Sequence, residues 1–373
     1  MSANSAACCR PTATRPRRPS ACRSENSAGG RRRLLAAALL ALSWLTMNSL
    51  AQTPIVIAHR GASGYLPEHT LAAKALAHAM GADYLEQDIV LTRDGVPIVL
   101  HDIHLQTTTD VAERFPERAR KDGQYYAIDF SLAEIRQLRV FERRQPDGEA
   151  TVFPARFPLT PGLFTVPTLA EEISLIAGLD RSRGKQTGLY IELKAPRFHA
   201  AEGQDIARAV LEVLQETGYA KRASQVFLQC FDDATLRYLR HELHTPLPLI
   251  QLIADSSWGE DSAVDYDFLL TPEGLDAIAR YADGIGPWLR QIYLGSDPQG
   301  APLFSPLVGE ARARGLLVHP YTFRRDDLPE GIDSFEQLLD LFVGQQQVDG
   351  LFTDFPDLVV DYLRHHPPAR TPQ

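Results

Sequence analysis

Cysteine is scarce in this chain: four among 373 residues, of which Cys8, Cys9 and Cys22 fall within the first 51 positions and only Cys230 follows. If that leading segment is removed, no internal disulfide can form, and stability must come from the hydrophobic core. Long apolar runs are missing too. The run from Leu34 to Leu45 is too short to span a bilayer, and nothing later reaches 18 apolar residues. Arg31-Arg32-Arg33 precedes it and Ser49-Leu50-Ala51 follows, the pattern of a signal peptide cleaved after Ala51. A loose twin-arginine match exists in the same arginines, but the ordinary secretory route is the favoured reading. No lipobox cysteine follows the apolar run. The mature protein is therefore expected to be periplasmic or secreted, soluble and without stable membrane insertion.

Positive charge is the third shortage. Lys and Arg total 38 against 47 Asp and Glu, a net charge of −9. Loss of residues 1–51, which hold eight arginines and one glutamate, takes the balance to about −16. Such a surface repels nucleic acid, so any anionic ligand must be held by a local cationic site. No internal repeat is visible beyond an alternation of strand and helix patterns.

That alternation begins at Ile55. Short β-rich runs cover Ile55 to His59, Tyr84 to Val90, Leu189 to Leu193, Val226 to Cys230, Leu249 to Ile253, Gly284 to Gly286, Leu316 to Tyr321 and Gly350 to Thr353. A ninth, Val96 to His101, follows the Asp94-Gly95 turn and should fold back antiparallel on the second. Eight parallel strands with helices between them predict an α/β fold, a TIM-type (β/α)8 barrel with one hairpin arm. Helices are expected over Leu71 to Met80 before Gly81, from the Thr168–Glu171 capping box through Ile176, over Asp205 to Gln215, and over Asp357 to Arg364. The about 65 residues from Ile103 to Pro167 are far longer than an ordinary loop and are read as an insertion or lid, with one helix over Ser131 to Val140 and an irregular loop from Pro146 to Pro161. The barrel domain should span 52–366, and 367–373 is expected to be a disordered tail.

The chemistry gathers at strand ends. Residues two apart on a strand share a face, roughly 6 to 7 Å apart, so Glu86 and Asp88 project together. Their repulsion, on the order of 2 to 3 kcal/mol at an effective dielectric of about 20, would be reversed by a divalent ion. Glu192 and Lys194 repeat the spacing on the third parallel strand: Glu192 completes a three-carboxylate set and Lys194 is placed for an anionic ligand. All-oxygen ligation suits Ca²⁺ or Mg²⁺. His59 and His101 are then candidates for general acid and base, with Arg60 on a phosphate. Gln229 and Phe231 at the fourth strand end, and Trp288, are candidates for substrate contact, with packing the equal alternative. His319 divides evenly between pocket and core. His69, His78, His104, His199, His241, His244, His365 and His366 default to surface or loop roles.

The blocks that carry these residues are long. They run His59-Arg60-Gly61-Ala62-Ser63-Gly64-Tyr65-Leu66-Pro67-Glu68-His69-Thr70, Gly81 to Asp88, Val99-Leu100-His101-Asp102, Glu192-Leu193-Lys194-Ala195-Pro196, Leu228 to Phe231, Ala282 to Pro287, Val318 to Thr322 and Gly350 to Pro356. Over residues 53 to 365 the chain resembles the glycerophosphodiester phosphodiesterase family, specifically its periplasmic bacterial branch. The resemblance implies hydrolysis of glycerophosphodiesters to sn-glycerol 3-phosphate and an alcohol. Glu86, Asp88 and Glu192 would be metal ligands, Ca²⁺ first and Mg²⁺ second. His59 and His101 would be acid and base, and Arg60 and Lys194 would hold the phosphate. One stretch departs from the pattern, at or near Thr107, where many relatives carry Arg; His69 stands where many members carry Asn, and the periplasmic branch also uses His there. A binding protein on the same barrel and an enzyme for lysophospholipids or a polyglycerol-phosphate polymer are the other readings.

Overall fold

In a computed structural model the described residues are 53–367, apart from 146, 147, 149, 159–162 and 261. The segment expected to be a signal peptide and the last six residues lie outside them. The strands are β1 (Ile55–Ala58), β2 (Tyr84–Leu91), β3 (Pro97–Val99), β4 (Gly188–Leu193), β5 (Val226–Cys230), β6 (Leu249–Ile253), β7 (Gly284–Pro287), β8 (Tyr293–Ser296), β9 (Pro302–Phe304), β10 (Leu317–Val318) and β11 (Gly350–Thr353). Parallel pairing follows the order β10-β7-β6-β5-β4-β2-β1-β11, with β3 antiparallel on β2. Backbone hydrogen bonds join the two ends of that path: Asp349 N donates to Val318 O at 3.1 Å, and Phe323 N to Phe352 O at 2.8 Å. The result is a (β/α)8 barrel of the TIM type.

Alternation along each strand decides what faces the barrel axis. On β4, Leu189, Ile191 and Leu193 turn outward into the apolar layer shared with the helices, while Tyr190 packs with Ile57, Phe227, Ile250 and Phe352 inside. Tyr190 stacks on Phe227 at 4.9 Å and meets Phe352 edge-on at 4.9 Å, which plugs the interior below the strand ends. His319 belongs to this plug. It is buried and its Nδ1 lies 2.8 Å from the Tyr190 hydroxyl, so the core reading of His319 holds.

Several expectations are corrected. The strand expected over Leu316 to Tyr321 shrinks to β10, because Pro320 has no N–H to continue a regular ladder; Tyr321 pairs singly with Trp288. The helix expected over Ser131 to Val140 is one turn, Leu132–Ile135, because Val140 is drawn into bridges with Thr109 and Phe164. The helix after Thr168 does not stop near Ile176 but runs Leu169–Arg183, ending where Gly184 takes a φ of 66°. The β8–β9 hairpin is additional, and its turn is built by Asp297, whose carboxylate accepts from Gln299 N and Ala301 N. His69, His78 and His199 are buried, not on the surface. Between β3 and the Leu169–Arg183 helix, short helical turns gather around their own apolar cluster, which includes Leu105, Val111, Phe130, Ile135 and Leu138.

Candidate active site

The pairing register brings the acids together. Asp88 on β2 lies beside Glu192 on β4, and Glu192 beside Gln229 on β5. Glu86, Asp88 and Glu192 are all buried and each offers an oxygen within 4.8 Å of the others. The remaining contacts hold these carboxylates in place. Glu86 accepts from Arg60 N at 2.8 Å and from Gln229 Nε2 at 3.0 Å, Asp88 Oδ2 lies 2.7 Å from His69 Nε2, and Glu192 accepts from Lys194 Nζ at 2.8 Å. Asp88 Oδ1 is buried without a hydrogen-bond partner, as is Gln229 Oε1. Three convergent carboxylates with an orphaned oxygen, and no sulfur donor among them, fit a hard divalent cation.

Electrostatics point the same way. Burial, then Asp88 and Glu192, raise the Glu86 carboxyl well above the usual range. Burial also lifts Glu192, to about 8, with Lys194 opposing and Asp88 assisting. Burial would raise Asp88 as well, but His69 and its hydrogen bond, with His101 and Lys194, outweigh that and hold it well below the ordinary value. One wall thus carries acids that cannot all ionise unless positive charge arrives.

His59 and His101 are held in matching ways. His59 Nδ1 lies 2.6 Å from Asp354 Oδ1, and His101 Nδ1 lies 2.5 Å from Asp102 Oδ1. In each case the carboxylate fixes the ring and leaves Nε2 for chemistry. Burial lowers His59 to about 4 despite Asp354, and lowers His101 to about 3 with help from Arg60 and Lys194. Both rings are therefore neutral at pH 7, able to accept a proton. The turn that presents His59 has Arg60 at φ 57° and Gly61 at φ 90°, and a Cβ on Gly61 would sit 2.9 Å from the Ala73 backbone. Arg60 Nη1 rests on Glu68 at 3.1 Å and Nε on His59 Nε2 at 3.3 Å.

A cavity of about 300 Å³ opens at these strand ends, lined by His59, Arg60, Glu86, His101, Glu192, Lys194, Gln229, Phe231 and Trp288. Of the residues picked from the sequence, only Asp88 is behind the lining rather than on it. A model of the glycerophosphoryl diester phosphodiesterase family matches residues 59–358. The chain belongs to that family. It is an enzyme, a phosphoric diester hydrolase. The phosphodiesterase is 43% identical to the glycerophosphodiester phosphodiesterase of Haemophilus influenzae, over 89% of this chain and 97% of that one. It is 38% identical to the enzyme of the same name from Treponema pallidum, over 84% and 92%. A crystal structure of a family member from Silicibacter pomeroyi superposes with a TM-score of 0.63 at 27% identity, over 86% of this chain and 96% of that one. A phosphodiesterase of Oleispira antarctica shares the fold at a TM-score of 0.54 and 24% identity, over 84% and 97%.

The sequence reading of the phosphodiesterase missed several residues. Asp354 follows β11 directly, and its place just past a parallel strand was the available signal. Tyr321, Trp258, Glu260 and Arg324 also line the cavity. His69 supports Asp88 from behind, and the fully buried Lys74 reaches His69 Nδ1 at 3.4 Å and Glu172 at 3.2 Å. Since the ammonium can only donate, Nδ1 accepts and Nε2 carries the proton given to Asp88. Thr107 donates to Asp102 at 2.8 Å, and Arg143 donates to the same oxygen at 2.6 Å. Among the described residues no helix is long and apolar enough to cross a membrane.

Proposed function

We propose that this protein hydrolyses glycerophosphodiesters to sn-glycerol 3-phosphate and an alcohol with the help of a divalent cation, Ca²⁺ in preference to Mg²⁺, in the salvage of phospholipid headgroups. The observation that carries this reading is the meeting of two carboxylate-backed histidines with Glu86 and Glu192 in one cavity, Asp88 completing the carboxylate set from beside them. Glu86, Asp88 and Glu192 would hold the cation, which when bound supplies charge to a phosphoryl oxygen and a place for a glycerol hydroxyl. Lys194 and Arg60 neutralise the remaining phosphate oxygens, with Arg60 steadied by Glu68. One imidazole, neutral, takes the proton of the attacking oxygen on its Nε2; the other must enter the step already protonated, a state the anionic phosphate beside it favours, so that its Nε2 can protonate the departing alkoxide, and Asp354 and Asp102 stabilise the two imidazolium forms. Gln229 holds Glu86, and Phe231 and Trp288 give the glycerol chain an apolar wall. Residues 1–51 are read as an export signal for a periplasmic or secreted enzyme.

A coupled assay for glycerol 3-phosphate across several diesters, with chelator and with Ca²⁺ or Mg²⁺ returned, tests the reading. Activity should vanish on chelation and return best with Ca²⁺. Turnover indifferent to chelation would remove the three-carboxylate site from the mechanism.

A further inference from the structure

Behind the two histidines lies a second cavity of about 390 Å³. It shares His59, Arg60, His101 and Arg324 with the first, but its other walls come from elsewhere, including Glu142, Arg143, Phe153 and Arg156. A phosphodiester carries two alcohols on one phosphorus. With the phosphorus between His59 and His101, one alcohol must extend to either side.

The glycerol half belongs on the carboxylate side, where the cation site and Gln229 can take its hydroxyls. The other alcohol then enters the second cavity, and the charge there is informative. Arg143 is held by Glu68 and Asp102, Arg156 by Asp326 and Asp354, and Arg324 by Asp354. Every arginine is spent on a protein carboxylate. Glu142 is different: its side chain is only 4% exposed, and its Oε2 is buried with no hydrogen-bond partner. A buried acid left unpaired costs stability, roughly 1 to 3 kcal/mol, unless a ligand completes it. Among the described residues it is the one titratable group of this lining with no hydrogen-bond or ion-pair partner.

We propose that the second cavity is the subsite for the departing alcohol and that Glu142 selects alcohols bearing N–H or O–H donors, above all a primary ammonium. The proposal rests on the phosphodiesterase reading above. Burial, then Glu68, pushes the Glu142 carboxyl up to about 8, so it stays neutral until a cationic donor arrives. A trimethylammonium group has no N–H to offer, and an anionic alcohol finds no free arginine.

The test compares kcat/KM for glycerophosphoethanolamine, glycerophosphocholine and glycerophosphomethanol in the wild type, in Glu142→Leu and in Glu142→Gln. The wild type should prefer the ethanolamine diester. Glu142→Leu should cut that preference over the methanol diester about ten-fold, the scale of one charge-assisted hydrogen bond, with Glu142→Gln between the two. A wild type without the preference, or equal losses on all three diesters, overturns the subsite; this reading stands even if Glu142→Leu fails to fold, because the wild-type ratio is measured independently. Failure of every diester with the wild type would instead overturn the phosphodiesterase reading.

Discussion

At the scale of single residues, the decisive positions are polar groups whose partners come from far along the chain. His59 depends on Asp354, 295 positions away, and Asp88 on His69 and Lys74 behind it. Local spacing displays Glu86 and Asp88 on one face, because a strand has period two. It does not show that His69 is buried: a histidine after Pro67-Glu68 reads as a loop residue until the turn at Arg60 and Gly61 folds it beneath the site. His59→Ala and His101→Ala should each lower turnover of glycerophosphocholine roughly 10² to 10⁴-fold while leaving thermal unfolding close to that of the wild type. The glycerol 3-phosphate assay and a melting curve read both. Near wild-type turnover in either variant would take that histidine out of the reaction.

Whole elements were legible where sequence and packing agree. The helix opened by Thr168 is announced by its capping box, and both hydrogen bonds of that box are present. Thr168→Ala should cost about 1 kcal/mol of unfolding free energy, measured by urea titration, without changing the cavity chemistry. A loss below a few tenths of a kcal/mol would mean that the tertiary bridge from Thr168 to Ile98 holds the helix start unaided. Elements failed where pairing partners were distant. Val140 looks helical by pattern, yet Thr109 and Phe164 claim its backbone, and the β8–β9 hairpin is too short for periodicity to show.

The whole molecule shows what the barrel does to titratable groups. His319 sits in the aromatic plug under the site, where burial lowers it to about 3 against an ordinary value near 6.5. Between those values the unfolded chain binds more protons than the folded one, so stability is complete above pH 6.5 and falls on acidification. The slope is about 1.4 kcal/mol per pH unit for this group alone. His59 and His101 shift in the same direction. His319→Gln should flatten urea-unfolding free energies between pH 6.5 and 4 by about that amount per unit, while an unchanged slope would show that His319 is not buried neutral.

The sequence by itself determined the strand and helix alternation, the shared face of Glu86 and Asp88, and the family. Each depends on neighbours within a few residues or on contiguous motifs. Only the tertiary structure decided that oxygens of Glu86, Asp88 and Glu192 come within 4.8 Å of one another, that Asp354 backs His59, and that a second cavity lies behind the two histidines. Those facts rest on strand register around a closed barrel and on the burial it imposes. Both are set by contacts between positions hundreds of residues apart, which local pattern does not encode.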